Sequence, residues 1–100
     1  MDEVTEAELA PIRRLIALAR SDTGQAARVA DVLLAWWNAA DCGGLDLTAL
    51  WSLDPVIRDD VLLVLEFIAL HPNYPDRYGL GDELAALVAL WRPALGKPAP

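Results

Sequence analysis

Residues 21–55 read SDTGQAARVADVLLAWWNAADCGGLDLTALWSLDP, and this stretch decides the fold. It holds three helix starts, one helix stop and three of the chain's four tryptophans. Ser21, Asp22 and Thr23 are each competent N-caps, and Asp22 stands at capping-box spacing from Gln25, so a helix opens here and runs to about Ala40. Asp41-Cys42-Gly43-Gly44 stops it with a left-handed glycine cap. Ala26, Val29, Ala30, Leu33, Trp36, Trp37 and Ala40 form its apolar stripe, which Val32 and Leu34 widen until Arg28, Asp31 and Asn38 are the main polar breaks. A helix of that kind sits centrally or carries a partner face. Asp46 then caps a short helix over Leu47–Ser52, with Leu45 and Leu50 placed as a hydrophobic staple. Asp54-Pro55 opens the next helix, since an N-cap aspartate followed by proline at the first helical position is a clear start signal.

Outward from this stretch the punctuation continues. VIRDDVLLVLEFIAL, residues 56–70, is apolar nearly all round, broken mainly by Arg58, Asp59 and Glu66, and reads as the central core helix over about 55–70. The run from His71 to Gly79, with two prolines, cannot extend that helix and forms a loop. A last helix spans about Asp82 to Trp91, packing Leu84, Leu87, Val88 and Trp91 inward, and stops near Pro93. Upstream, Thr5 and Glu8 make a capping box for a helix from about Glu6 to Arg20, with Leu9, Ile12, Leu15, Ile16 and Ala19 on one face. Pro11 interrupts it, so either its first turn is loose or the regular helix starts at Pro11. The expected fold is all-α, an irregular compact bundle of four to five helices around the central helix 55–70, in one domain over 1–93 with a disordered tail over 94–100.

Composition bounds the function classes. With 100 residues and 55% apolar character, the chain can close one core without a staple, and its single cysteine permits no internal disulfide. The start MDEVTEAELA has neither the basic nor the apolar region of a secretory signal, which makes a cytoplasmic location the expectation. Val61–Leu70 is the longest apolar run and is too short to cross a membrane, because ten helical residues span about half of a roughly 30 Å hydrocarbon layer. Eight basic against fifteen acidic residues give a net charge of −7, which disfavours direct contact with nucleic-acid phosphates and favours a protein partner with a basic surface. The same excess also serves simply to keep an apolar small domain in solution.

Candidate chemistry is sparse. His71 is the only histidine and Cys42 the only thiol, so no metal site and no cofactor is expected; His71 reads as a helix-end residue favoured by the macrodipole, and Cys42 as a small buried side chain. Asp59 and Glu66, seven apart, share a helix face, which a carboxylate pair acting on a cation or a proton requires, yet no histidine or calcium-loop pattern accompanies them. Asp59 and Asp60 also supply negative charge near a helix start, with Arg13, Arg14 or Arg58 as neighbours. Gly79-Leu80-Gly81 follows no strand and lacks a lysine, so it reads as a turn rather than a phosphate loop. No catalytic residue is assigned.

The aromatic residues carry more. Adjacent helical residues diverge by about 100°, so a narrow buried stripe cannot centre on both Trp36 and Trp37. Either neighbouring helices bury both, or one faces a partner, as tryptophan does at interaction hot spots. Tyr74 and Tyr78 lie in a proline-stiffened loop that suits recognition and equally suits packing against the bundle end.

DTGQAARVADVLLAWWNAADCGGLDL, LWSLDPVIRDDVLLVLEFIA and YPDRYGLGDELAALVALWRP together resemble a family of small uncharacterised bacterial proteins found on plasmids, integrative elements and phages. The resemblance spans about residues 20–93, leaves the first helix outside, and transfers no catalytic residue. It implies a mobile-element accessory protein, and such proteins act by binding host proteins, inhibitors of CRISPR effectors among them. The expectation is a non-enzymatic protein-binding module, of the kind that inhibits a host defence complex, contacting a basic partner through Trp36, Asp41, Asp46, Asp59, Asp60, Tyr74 and Tyr78. Such a module is a monomer or a homodimer. The alternatives are a structural or regulatory homo-oligomer joined through the wide apolar face of the helix ending near Ala40 or of the last helix, and an enzyme built on Asp59 and Glu66.

Overall fold

The capping box at Thr5 and Glu8 forms as the sequence predicts: the Thr5 hydroxyl accepts from the Glu8 amide at 3.2 Å, and Glu8 Oε1 accepts from the Thr5 amide at 3.1 Å. It starts α1 (Glu6–Ala19) ahead of Pro11, which lies inside the helix with its ring buried. The satisfied first turn makes Pro11 an interruption of the ladder rather than its beginning. The computed structural model describes residues 4–96. Within them follow α2 (Gly24–Cys42), a 3₁₀ turn Leu47–Ser52, α3 (Pro55–Leu70), a 3₁₀ turn Pro75–Tyr78, α4 (Gly81–Trp91) and the short α5 (Pro93–Gly96). Of the tail expected over 94–100, residues 97–100 lie outside the described residues, as do 1–3 of the expected domain.

The fold class is the expected one, an all-α bundle, and the described residues hold no strand. Its centre is not helix 55–70. α1 packs against α2, α3 and α4, and α2 against α1, α4 and, more lightly, α3. Ile12, Leu15 and Ala19 of α1 meet Val29, Ala30, Leu33 and Leu34 of α2 and Leu84 and Leu87 of α4 in the dry core. α3 buries only Val61, Val64 and Phe67, and leaves Val56, Leu62, Leu63 and Leu70 exposed. Apolarity all round a helix records that it avoids water, not which sides have a neighbour.

Polar side chains tie the helices together at their ends. Thr23 caps α2 by accepting from the Ala26 amide, while Gln25 ignores the local box and exchanges hydrogen bonds with Asp54, donating to its carboxylate at 2.8 Å and accepting from its amide at 2.7 Å. The start of α2 is thereby clasped to the start of α3. Trp91 Nε1 donates to the Ala19 carbonyl at 2.7 Å, and Arg92 donates to Asp31 at 2.6 Å and to the Cys42 carbonyl at 3.0 Å, fixing the end of α4 on α1 and α2. Among the described residues no helix is long and apolar enough to cross a membrane.

Candidate functional site: the aromatic end of the bundle

α2 breaks near its end. Asn38 leaves the helical region at φ −162°, ψ 75°, and its side chain then caps the final turn, accepting from the Asp41 amide at 3.2 Å and donating to the Asp41 carboxylate at 3.1 Å. An asparagine that offers its own amide to the backbone competes with the helix ladder in this way. Gly43 ends the turn at φ +97°, ψ 155°. That backbone lies outside the left-handed well expected for the cap, and its positive φ still calls for glycine.

The break lies beside the loop between α3 and α4, where two indoles turn their N–H groups onto the loop. Trp36 Nε1 donates to the Asn73 carbonyl at 3.0 Å and Trp37 Nε1 to the Asp76 carboxylate at 2.7 Å. Neighbouring helices do not bury the pair: both rings are half-buried and both hydrogen-bond to the loop. Phe67 anchors the group from below: Trp36 meets it edge-on at 6.3 Å, Tyr78 edge-on at 5.3 Å, and His71 stacks on it at 4.5 Å. Tyr78 therefore packs, with its hydroxyl accepting from the Asn73 amide group at 3.2 Å. Tyr74 stands out at 67% exposure.

Trp36, Trp37, Tyr74 and Asp76 line one cleft together with Ala35 and Ala39. Trp36 and Tyr74 also wall a second cleft, on the side of Ile68 and Pro72. Aromatic faces beside a carboxylate attract a cation, through the ring quadrupole and through charge. Asp76 lies in the loop that the sequence offers for recognition but is not one of the seven expected contacts, and its spacing of 39 from Trp37 gives no local signal for the pairing.

The seven expected contact residues divide. Trp36 and Tyr74 line the clefts; Asp41 and Tyr78 lie on the same two segments but line neither, and Asp46, Asp59 and Asp60 lie elsewhere. Asp46 caps the first 3₁₀ turn, accepting from the Thr48 hydroxyl and amide at 2.8 and 2.9 Å, bonds that hold its carboxyl below the usual range. Asp60 takes two parallel hydrogen bonds from the Arg14 guanidinium at 2.9 and 2.8 Å, which lower its pKa and tie α3 to α1. Asp59 points to solvent, with Arg58 at 3.2 Å. Trp51, in the first 3₁₀ turn, is 84% exposed. A 3₁₀ turn of six residues packs one edge against the core, and Leu50, half-buried, takes it.

His71 Nε2 lies 3.6 Å from Glu8, whose carboxyl is held below its ordinary value mainly by the Thr5 amide and further by the histidine. Cys42 is buried. No group of three or more histidine, cysteine or acidic side chains among the described residues is placed to hold a metal ion.

In comparison with known proteins, residues 9–92 match the family model described as Family of unknown function (DUF7673). No curated protein and no solved structure matches the chain. The matched stretch takes in α1 from Leu9 onward, which the resemblance read in the sequence left outside. The packing explains this, since α1 is the surface on which α2, α3 and α4 all close.

Proposed function

We propose that this chain, which belongs to the Family of unknown function (DUF7673), is a non-enzymatic protein-binding module that grips a basic side chain of its partner at the aromatic end of the bundle. One observation carries the reading: Trp36, Trp37 and Tyr74 surround a cleft beside Asp76, and hydrogen bonds fix the two indoles without burying them. Aromatic side chains already held in place lose little freedom when a partner arrives, so the contact keeps most of its energy. An arginine or lysine laid across them gains cation–π attraction and a nearby carboxylate. The net charge of −7 steers such a partner in and sets it against nucleic acid as a competitor. The two groups best suited to catalysis are otherwise occupied, His71 stacked on Phe67 beside Glu8 and Cys42 buried.

The biological setting we propose is that of a mobile-element accessory protein in the cytoplasm that inhibits a host defence complex, such as a CRISPR effector, by covering arginines or lysines that otherwise hold nucleic acid. The test is capture at low salt from cells with an active CRISPR system, using tagged wild-type chain and Tyr74→Ala. Recovery of an effector subunit by wild type, its release as salt rises and its loss with Tyr74→Ala are the expected results. An effector that binds both proteins alike, or none at all, overturns the reading. The second reading, a homo-oligomer without a defence role, draws on the exposed Leu62, Leu63 and Leu70 of α3 and predicts a dimer by light scattering.

A further inference from the structure

We infer that the outer face of α3 is a second docking surface, separate from the aromatic end, and that its occupant is a basic amphipathic helix of a partner protein. Val56, Leu63 and Leu70 recur every seven residues, so they stack along α3 within about 20° of one another per step. They are 77%, 49% and 68% exposed, far above what a packed ridge leaves in water. Leu63 and Leu70 also form one wall of a groove between α3 and α1 whose other lining includes Ala7, Pro11 and Phe67. Glu8, Glu66 and His71 supply its polar lining. An apolar ridge that continues into an apolar groove is the shape that receives the apolar face of another helix.

The charges on the face decide which helix. Asp59 and Glu66 repeat with the same seven-residue spacing and run alongside the leucine ridge, and Glu66 also lines the groove. Arg58 is the basic residue beside them and already lies against Asp59, so two carboxylates against one guanidinium leave the face negative. Glu66 has no ion pair among the described residues. A second copy fits poorly. An antiparallel pair centred on Leu63 brings Asp59 of each chain beside Glu66 of the other, and a parallel pair sets like against like. A helix with leucine-type residues on one face and lysine or arginine flanking them satisfies the ridge, the groove and the carboxylates at once.

The probe is a synthetic helical peptide with leucine along one face and lysine on both sides of it, compared with its isomer of scrambled order. Binding is followed by fluorescence anisotropy, and unchanged melting confirms that each variant folds. The amphipathic peptide is expected to bind at least about tenfold more tightly than the scrambled one. Leu63→Ser with Leu70→Ser should erase that preference, and Asp59→Lys with Glu66→Lys should weaken both peptides. Tyr74→Ala should change neither, so this surface and the aromatic cleft fail independently. Equal affinity for the two peptides, or α3 variants that bind as wild type does, overturns the inference in favour of general attraction to an acidic chain. A wild-type dimer that Leu63→Ser dissolves overturns it in favour of a second copy.

Discussion

α2 and α3 are written in nearly the same alphabet and end in opposite environments. In α2, Ala26, Val29, Ala30, Val32, Leu33 and Leu34 are all buried, on sides of the helix that diverge by more than half a turn. In α3 the equally apolar run buries Val61, Val64 and Phe67 and exposes Val56, Leu62, Leu63 and Leu70. The difference lies in the neighbours. α2 is flanked by α1 on one side and α4 on another, whereas α3 leans mainly on α1. An apolar helix with neighbours on both sides is core, and one with a neighbour on a single side is half core and half contact surface.

The sharpest way to break this comparison is to truncate one leucine in each helix. Leu33→Ala, at a fully buried site, is expected to cost about 2–5 kcal/mol in urea unfolding, because the packed surroundings cannot close on the cavity. Leu63→Ala is expected to cost under about 1 kcal/mol, since water already covers half of that side chain. Equal losses would place α3 in the core after all.

The tryptophans come next in size. Trp36→Ala and Trp37→Ala should each cost about 1–3 kcal/mol, below the range for a fully buried indole, because both rings are half-exposed. Trp37→Phe keeps most of the ring and removes only the hydrogen bond to Asp76, for about 1 kcal/mol. In both Trp37 variants amide exchange over residues 71–79 should quicken, because that bond is one of two that hold the loop on α2. Unchanged exchange would mean that Phe67 alone secures the loop.

Local chemistry made most of the fold legible. Thr5 with Glu8, Asp46, and Asp54 with Pro55 start elements where the sequence predicts, and Pro93 lies just past the end of α4, because caps and proline act within a few residues. What could not be read is what depends on partners far along the chain. Gln25 stands at capping-box spacing from Asp22 and spends its amide on Asp54, 29 residues away. Trp36 and Trp37 reach Asn73 and Asp76, so the aromatic end could be suspected from the tryptophans and the loop while the bonds that join them could not. Asp59 and Asp60 are adjacent and acidic, yet Asp60 is held by Arg14 and Asp59 faces solvent, a distinction that only the position of α1 creates.

That Arg14–Asp60 pair is the polar half of the hold of α1 on α3, and pH tests it. The guanidinium lowers the Asp60 pKa from its ordinary value of 3.8, so the folded state prefers the carboxylate. A depressed carboxyl contributes stability above the unfolded value and loses it as pH falls through that value and then through the lower folded one. Asp60→Asn should therefore melt below wild type near neutral pH, and the gap should close in acid as wild-type Asp60 protonates. A gap that is constant with pH would assign the loss to packing instead of charge.

The smallest effect on folding is expected where the comparison matters most for function. Asp59→Asn with Glu66→Gln removes two charges that touch no core residue and should change stability by less than about 0.5 kcal/mol. If the exposed leucines of α3 are kept apart from other copies by those carboxylates, the double variant should self-associate at concentrations where wild type stays monomeric, as light scattering would show. The apolar area is the same in both proteins, so any new dimer reports charge alone. The aliphatic residues of α2 offer no counterpart, since Val29, Ala30, Val32, Leu33 and Leu34 are buried in the core. A double variant that stays monomeric would mean that the α3 ridge alone is too small to hold a second copy, and that the carboxylates serve only to select the charge of whatever docks there.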